Sequence, residues 1–381
     1  MLKTLQYRLY PTRTQQRTLA AMLETCRRWY NACLEERKTT YAERGVTIGK
    51  YDQLANVKVI KASNPFAAPI HSHVLQVTVA DLDKAFQSFF RRVKAGDTPG
   101  YPRFKGRNRF HSFGFKEYGN GFKIDGRRLK LSGIGRVRVR WHRPLDGTIK
   151  TVRITRKADK WYACFACEVE LQTFPATGRA VGVDVGIKSL LTTSDGDTIE
   201  NPRWYRQGQR RLRVLQRRVA RKKKGGKNRR KAVLTLQRHH EHVANQRKDF
   251  LNKVAHKLIA ENDGIALENL RITTMVKNRH LAKSILDAGW GYLVQRLTSK
   301  AAEAGRVVCL INPAYTSKAC SCCGTEFPGF DLAMRWVDCP RCGLSLDRDH
   351  NAAINIKNRA GHVRWESSAP MGGFSQEASP L

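Results

Sequence analysis

Two stretches in the first hundred residues place their apolar side chains at helical steps. Leu19, Met22, Leu23, Cys26, Trp29, Tyr30, Cys33 and Leu34 recur every third or fourth position, and Leu75, Val79, Leu82, Phe86, Phe89 and Val93 do the same. Each set forms one stripe of an amphipathic α-helix. The first helix is announced by Thr12 and Gln15, a T-x-x-Q capping box directly after the alternating strand LQYRLYPT. The second begins near Ser72 and ends in FFRRVKAG, with basic residues in its last turn. Residues 1–95 therefore read as a strand followed by a helical module.

From PGYPRFKG onward the pattern changes. FGFKEY, FKID, RLKL, RVRVRW, KTVRITRK and WYACFACEVEL are short, Gly-punctuated and rich in aromatic and β-branched residues, which predicts a small antiparallel barrel or sandwich. LQTFPATGR reads as a boundary. Beyond it, RAVGVDVGIKSLLTTSDGDTIE predicts a strand, a turn and a hairpin with SDGD at its tip. Two helical stretches flank KKKGGKNRR, the second running on to LIAEN. GIALENL is a strand, WGYLVQRLTSKAAEAG a helix, RVVCLINPAY a strand, and NAAINIKNRAG a helix that follows a cysteine-rich insertion. This order predicts an α/β domain with a mixed sheet. Residues from about 361 are rich in Gly, Ser and Pro and are expected to form a loose tail.

The chain has 381 residues, more than the roughly 250 to 300 at which one core stops growing, so more than one domain is expected. Its 41% hydrophobic content supports packed cores. Against 32 Asp and Glu stand 70 Lys and Arg, a net charge of +38. Such an imbalance opposes compaction unless a polyanion neutralises it, and nucleic acid fits best. A ribosomal-type protein and a binder of anionic membranes are the plainer alternatives. No apolar run of about 18 residues predicts a membrane span, and MLKTLQYRLYPT lacks a signal-peptide core. The expected location is the cytoplasm, in association with the nucleoid. Residues 201–240 hold 16 Lys or Arg and no acid. A charge run is commonly a solvated helix face, but forty residues without one acid point instead to a basic helical hairpin lying along nucleic acid.

Ten cysteines in a reducing compartment are expected as ligands or core residues rather than disulfides. Cys26, Cys33 and Cys309 fall on apolar stripes or runs and read as core, as do Cys164 and Cys167 in the strand WYACFACEVEL. CSCCG and CPRCG supply Cys320, Cys323, Cys339 and Cys342, with fifteen residues between the pairs. That spacing, with a glycine after each second cysteine, predicts a closed structural zinc site. Cys322 stands inside the first knuckle but breaks the CxxCG spacing.

The candidate catalytic groups are carboxylates. In VGVDVG the three valines face one way and turn Asp184 to the other side of the sheet, Glu268 ends the apolar strand of GIALENL, and Asp349 precedes a helix. Singly, these could be a strand-end turn residue, an exposed strand terminus and a helix N-cap. Together, in an acid-poor chain, three carboxylates at element ends of one α/β domain point to a site for two Mg²⁺ about 3.5 to 4 Å apart, a clamp for hydrolysis of a phosphodiester. Zinc would then clip the insertion while Asp349 reaches back to magnesium.

In this order, GVDVGIK, the strand with Glu268, AGWGYLVQRL, T-S-x-x-C-x-x-C-G, C-x-x-C-G and DRDHNAAINI resemble the RuvC-type nuclease domain of TnpB. TnpB proteins are transposon-encoded, RNA-guided DNA endonucleases regarded as ancestors of type V CRISPR effectors. YRLYPT followed by RRWYNACLEER, LQ…DKAFQSFFR and GYPRFKGR carry the similarity over nearly the whole chain. The resemblance implies an α/β RNase-H-like (RuvC) nuclease domain from 176–315 and 345–360. It implies a zinc-binding target-nucleic-acid module at 316–344, a wedge-type β-barrel from 1–12 and 96–175, a helical recognition module at 13–95, and a disordered tail at 361–381. It puts Asp184, Glu268 and Asp349 on the three RuvC carboxylates, with Asp184 bridging two Mg²⁺ and the others completing one site each. Asp347 is the rival for the third place, but the D-x-N-A-A pattern fits Asp349 with Asn351, and His350 takes the x position.

The implied partners are a guide RNA from the transposon end and target double-stranded DNA, with one protein copy per RNA and no membrane. Tyr51, Ser72, His73 and Gln76 lie where a short transposon-adjacent motif would be read, although capping and surface roles explain them equally. Arg221, Lys222, Lys223, Lys224, Arg229 and Arg230 would track guide or heteroduplex phosphates. Competing readings are a nuclease-inactive RNA-guided repressor, a guide-free RuvC-fold nuclease or transposase, and a zinc-ribbon DNA-binding protein without catalysis.

Overall fold

Thr12 closes the first strand, β1 (Leu2–Tyr10), and opens helix α1 (Arg13–Arg44) through the expected capping box. The Gln15 amide donates to the Thr12 hydroxyl at 3.3 Å, and the Thr12 amide to Gln15 Oε1 at 3.0 Å. Helix α3 (Ser72–Lys94) follows the second stripe. Between them lies α2 (Lys50–Ser63), which periodicity does not announce because only Gln53 and Val57 on it are buried. Gln53 donates to the Cys33 carbonyl at 2.8 Å and to Glu36 at 2.7 Å, and its Oε1 accepts from the buried Arg37 guanidinium at 2.9 Å. Arg37 also reaches Asp83 at 3.4 Å. Buried charge is tolerable only when so paired, and this cluster ties α1, α2 and α3 together.

The computed structural model describes residues 1–107, 109–331 and 334–361. The chain forms two compact units, Met1–Glu170 and Leu171 onward. The first unit adds β2 (Ser112–Phe115), β3 (Glu117–Tyr118), β4 (Gly121–Asp125), β5 (Arg128–Leu131), β6 (Gly135–Arg140), β7 (Thr148–Lys157) and β8 (Lys160–Glu168). With β1 they form one sheet in the order β2-β7-β8-β1-β6-β5-β4-β3. The expected barrel closure is not seen. The sheet curls far enough to set Phe115 of β2 against Phe122 of β4, ring centroids 6.1 Å apart. But β3 has only two residues, pairs only with β4, and is joined to β2 by the chain at Lys116 rather than by a ladder. Tyr7, Leu9, Phe113, Leu129, Ile154 and Phe165 point inward from successive strands and pack with Leu19, Cys26 and Leu75 of the helices. Cys167 belongs to that core, whereas Cys164, expected there too, lies on the other face, where Gln6 donates to its sulfur at 3.4 Å.

The second unit holds a five-stranded sheet in the order β11-β10-β9-β12-β13. Its strands are β9 (Ala180–Val185), β10 (Ser189–Thr193), β11 (Thr198–Glu200), β12 (Gly264–Glu268) and β13 (Val307–Ile311). The sheet is mixed, as expected: β12 runs parallel to β9 and β13, and the hairpin strands run antiparallel. Helices α4 (Trp204–Ala220) and α5 (Lys227–Glu261) form the basic hairpin. Short α6 (Ile272–Met275) and α7 (Ala282–Ala288) precede α8 (Trp290–Ala304). The pair β14 (Trp336–Asp338) and β15 (Ser345–Asp347) belongs to the cysteine-rich insertion, and α9 (Arg348–Gly361) ends the described chain. The tail expected from 361 lies, apart from Gly361, outside the described residues. No helix among the described residues is long and apolar enough to cross a membrane.

Val181, Val183, Ile265 and Leu267 pack on one face of this sheet against Leu258 of α5 and Leu293 and Leu297 of α8. Ala266 and Ile311 point the other way, against Ile356 and Ala360 of α9. On that second face α9 comes so close to β9 that a Cβ on Gly182 would sit 2.1 Å from the Ala353 carbonyl oxygen and 2.6 Å from the Lys357 amide. No side chain fits there, so Gly182→Ala should push α9 off the sheet. The expected cost is at least the ~1–3 kcal/mol of an overpacked core, read by thermal unfolding and by earlier proteolysis near α9; an unchanged midpoint would contradict the close packing.

Candidate active site

The alternation of β9 that buries Val181 and Val183 turns Gly182 and Asp184 toward α9, and the same alternation in β12 turns Glu268 to that side. Asp349 enters from the first turn of α9. The structure brings these three carboxylates together. Burial, then the neighbouring charges of Glu268 and Asp349, push the Asp184 carboxyl from its ordinary 3.8 up to about 7, against the opposing pull of Arg348. Burial also raises Glu268, partly offset by a hydrogen bond from Thr316, whose hydroxyl donates to Oε1 at 2.5 Å. Asp349 accepts from Arg348 at 3.0 Å and lies 3.6 Å from Arg335.

The N-cap explanation for Asp349 fails. Asp347 caps α9, its Oδ1 accepting from the amides of Asp349 at 2.9 Å and His350 at 3.2 Å. Asp349 is therefore free to face the other two carboxylates, and Asp347 is occupied. His350 turns to the β10–β11 turn, its Nε2 3.1 Å from the Ser194 carbonyl.

Helix α9 is also stitched to the segment after β13. Asn351 is fully buried; it accepts from the Ser321 amide and donates to the Ala319 carbonyl, each at 2.8 Å. Asn355 donates to the carbonyls of Thr316 at 2.9 Å and Ala319 at 2.7 Å. The residue that holds Glu268 is thus itself held by the helix that carries Asp349. Thr316 and Asn355 carry no separate functional signal in the sequence beyond their places in the T-S-x-x-C-x-x-C-G and NAAINI motifs.

The cysteine cluster closes beside this network. Cys320 Sγ lies 3.5 Å from Cys342 Sγ, Cys323 Sγ 3.5 Å from Cys339 Sγ, and all four sulfurs are within 4.8 Å of one another. Sulfurs about 2.3 Å from a tetrahedral zinc would stand about 3.8 Å apart, so the donor set fits structural zinc. Gly324 and Gly343 adopt φ of 75° and 73°, the left-handed turn that lets each knuckle close. The Thr325 hydroxyl and amide lower the Cys323 thiol, whereas Cys342, against the pull of the Leu344 amide, is raised by burial and the neighbouring thiols, so the cluster shares its protons unevenly. Cys322 is exposed and outside the cluster. The three carboxylates are not gathered this tightly: among the described residues only the thiols form such a group. Arg335 and Arg348 pair with Asp349, and the Thr316 hydroxyl donates to Glu268.

The remaining candidates sit on other surfaces. Arg221, Lys222, Lys223, Lys224 and Arg230 are exposed on the α4–α5 turn, and Arg229 is half-buried. The hairpin base is fixed by buried Asp287, which accepts from the Tyr205 amide at 2.8 Å and from Arg247 at 2.7 Å. In the first unit, Tyr51 is exposed, Gln76 accepts from Lys116 at 3.0 Å, and His73, with an unpartnered buried Nδ1, packs edge-on against His71 at 4.7 Å. Ser72 opens α3 beside them.

A Streptomyces pristinaespiralis protein named "Putative RNA-guided DNA endonuclease" is 33% identical over 369 residues, 93% of this chain and 88% of its own. The chain belongs to the TnpB/OrfB_IS605 family. An Escherichia coli K12 protein, "Putative RNA-guided DNA endonuclease InsQ", is 30% identical over 95% of this chain and 93% of its own. Family profiles match at residues 164–279 (OrfB_IS605, "Probable transposase"), 290–356 (a Cas12f1-like TNB domain) and 1–46 ("Helix-turn-helix domain"). In this TnpB-family chain residues 1–46 hold β1 and the single helix α1. The fold is Cas12f-like: the Cas12f1 chain of a complex with sgRNA and target DNA superimposes with a TM-score of 0.61 at 14% identity, covering 94% of this chain and 99% of that one.

Cys339→Ser should lower bound zinc well below one per chain and loosen the insertion; one zinc per purified chain would overturn the ligand set. The raised carboxyl has a sign as well. Asp184 is favoured in its protonated form by the fold, so its contribution to stability is present below about 3.8 and is lost as pH rises through about 7. In chelator-treated protein the unfolding midpoint should fall more steeply over that window in wild type than in Asp184→Asn, by on the order of a few kcal/mol. Parallel pH profiles would show that Asp184 is not buried among like charges.

Proposed function

We propose that the protein is an RNA-guided DNA endonuclease that makes Mg²⁺-dependent double-strand breaks next to a short transposon-adjacent motif. The observation that carries this reading is Asp184, a carboxyl pushed up to about 7 by burial and by two further carboxylates that reach it from β12 and α9. A chain with 32 acids among 381 residues gains nothing in stability from concentrating three of them. Their chemistry fits hard cations: oxygen donors only, with the proton on Asp184 displaceable by a divalent ion.

Asp184, Glu268 and Asp349 would hold two Mg²⁺. Bound there, Mg²⁺ supplies Lewis-acid stabilisation of the phosphoryl oxygens and a more acidic water. Thr316 orients Glu268 by its hydrogen bond, Arg348 and Arg335 balance Asp349 until the substrate and ions are present, and α9 fixes the spacing. The rest of the chain supplies binding. The hairpin bearing Arg221, Lys222, Lys223, Lys224, Arg229 and Arg230 tracks backbone phosphates of guide or heteroduplex. Tyr51, Ser72, His73 and Gln76 read the adjacent motif. In domain terms, 1–12 and 96–175 act as wedge, 13–95 as recognition module, 176–315 with 345–360 as RuvC-like nuclease, and 316–344 as zinc-held target module, one protein copy serving one RNA.

Purification from cells that carry the flanking DNA should yield one RNA species with a transposon-end scaffold, and the complex should cut matching duplexes only with Mg²⁺. Asp184→Ala should abolish cutting, by several orders of magnitude, and leave guided DNA binding intact in a gel-shift assay. Heterogeneous RNA with cleavage indifferent to guide sequence would put a guide-free nuclease or transposase first, and cleavage by the Asp184→Ala complex would remove the mechanism.

A further inference from the structure

The GYPRFKG segment takes no part in the centre described above, yet it is held with unusual care. Lys105 is clamped to α1 from both sides of its peptide: its amide donates to Asn31 Oδ1 at 2.8 Å, and its carbonyl accepts from Asn31 Nδ2 at 3.1 Å and Arg27 Nη1 at 2.9 Å. Its ammonium lies 5.5 Å from the centre of the Tyr30 ring. Tyr101 is braced by Phe86 and Phe89 of α3, with ring centroids 5.6 and 5.4 Å away. A loop so fixed could have buried its aromatics, but Tyr101 remains 44% exposed and Phe104 48%. Between these anchors lies a cavity of about 340 Å³, lined by Leu34, Lys38, Tyr101, Pro102, Arg103 and Phe104.

The lining combines two aromatic rings, an apolar floor and two cations, with no acid. Residues 97–111 hold four Lys or Arg and one Asp. An apolar protein segment would gain nothing from Lys38 and Arg103, whereas a nucleotide uses both halves, its base against a ring and its phosphate against the cations. The volume is at the small end of ligand sites, roughly 300 to 1,000 Å³, and suits a single nucleotide rather than a duplex. We propose that this cavity is a stacking site for one unpaired nucleotide of a single strand. The proposal rests on the nucleic-acid-guided reading above and adds to it a place where an unpaired base is held by the first unit.

The test uses the full-length chain and photoreactive oligonucleotides: a 12-mer RNA containing 4-thiouridine, and in parallel a 12-mer DNA containing 4-thiothymidine, with cross-linked peptides mapped by mass spectrometry. A cross-link within residues 101–104 is expected, and the arm in which it is stronger names the strand, RNA or DNA. Phe104→Ala should cut its yield by roughly fivefold or more, the loss expected for one base–aromatic stack, while Phe104→Trp should keep it. Phe104 has no ring partner among the described residues, and an unchanged unfolding midpoint will show that the alanine variant is folded. Cross-links on the α4–α5 turn with none at 101–104 would overturn the stacking site and leave guide binding standing. Equal yields at 101–104 from wild type and Phe104→Ala would overturn it as well.

Discussion

The contact between α9 and β9 at Gly182 sets the terms for the rest of the second unit. A helix can approach a strand this closely only where the strand has no side chain, and this approach brings the helix's first turn alongside Asp184 and Glu268. Asn351 and Asn355 then fasten the same helix to residues 316–321, which run straight into the first cysteine knuckle. Cysteine cluster, helix and carboxylates are thereby one mechanical piece. The cysteine knuckle and the three carboxylates use different donor chemistry, but both are positioned by α9.

The electrostatic design follows from that geometry. Packing and the hydrogen bonds of α9 hold the three carboxylates within electrostatic reach of one another, and burial first, then the charges of Glu268 and Asp349, raise Asp184. Arg348 and Arg335 balance Asp349 from outside the trio, and Thr316 does the same for Glu268 with a neutral donor.

The main elements and the carboxylates could be read from the sequence because each leaves a local period: valine alternation around Asp184, an apolar run before Glu268, paired CxxCG knuckles. What could not be read lacks a local signature. Helix α2 buries only two side chains, so its stripe is too thin to see. Asp347 and Asp349 are told apart in the sequence only by the D-x-N-A-A resemblance; that Asp347 caps α9 depends on where the helix starts. Thr316 and Asn355 matter through partners 48 and 39 residues away. The open edge of the first sheet reflects a two-residue strand, and nothing in alternating residues distinguishes a curled sheet from a closed barrel. Cys164 departs from the core expectation for a similar reason, since alternation fixes opposite faces for Cys164 and Cys167 without saying which face is core.

Charge distribution completes the argument. With 70 basic and 32 acidic residues, 38 positive charges have no acid in the chain to neutralise them. The acids that exist are spent where they hold structure: Asp81 on Arg153 at 2.7 Å between α3 and β7, Asp83 on buried Arg37, and Asp287 on the base of the α4–α5 hairpin. Among the described residues none reaches the turn at 221–230, whose cations, half-buried Arg229 apart, are exposed. A surface ion pair there would add little stability in any case. Anchoring the hairpin base in a buried carboxylate while leaving its turn without an acidic partner gives an anchored arm that carries unneutralised charge.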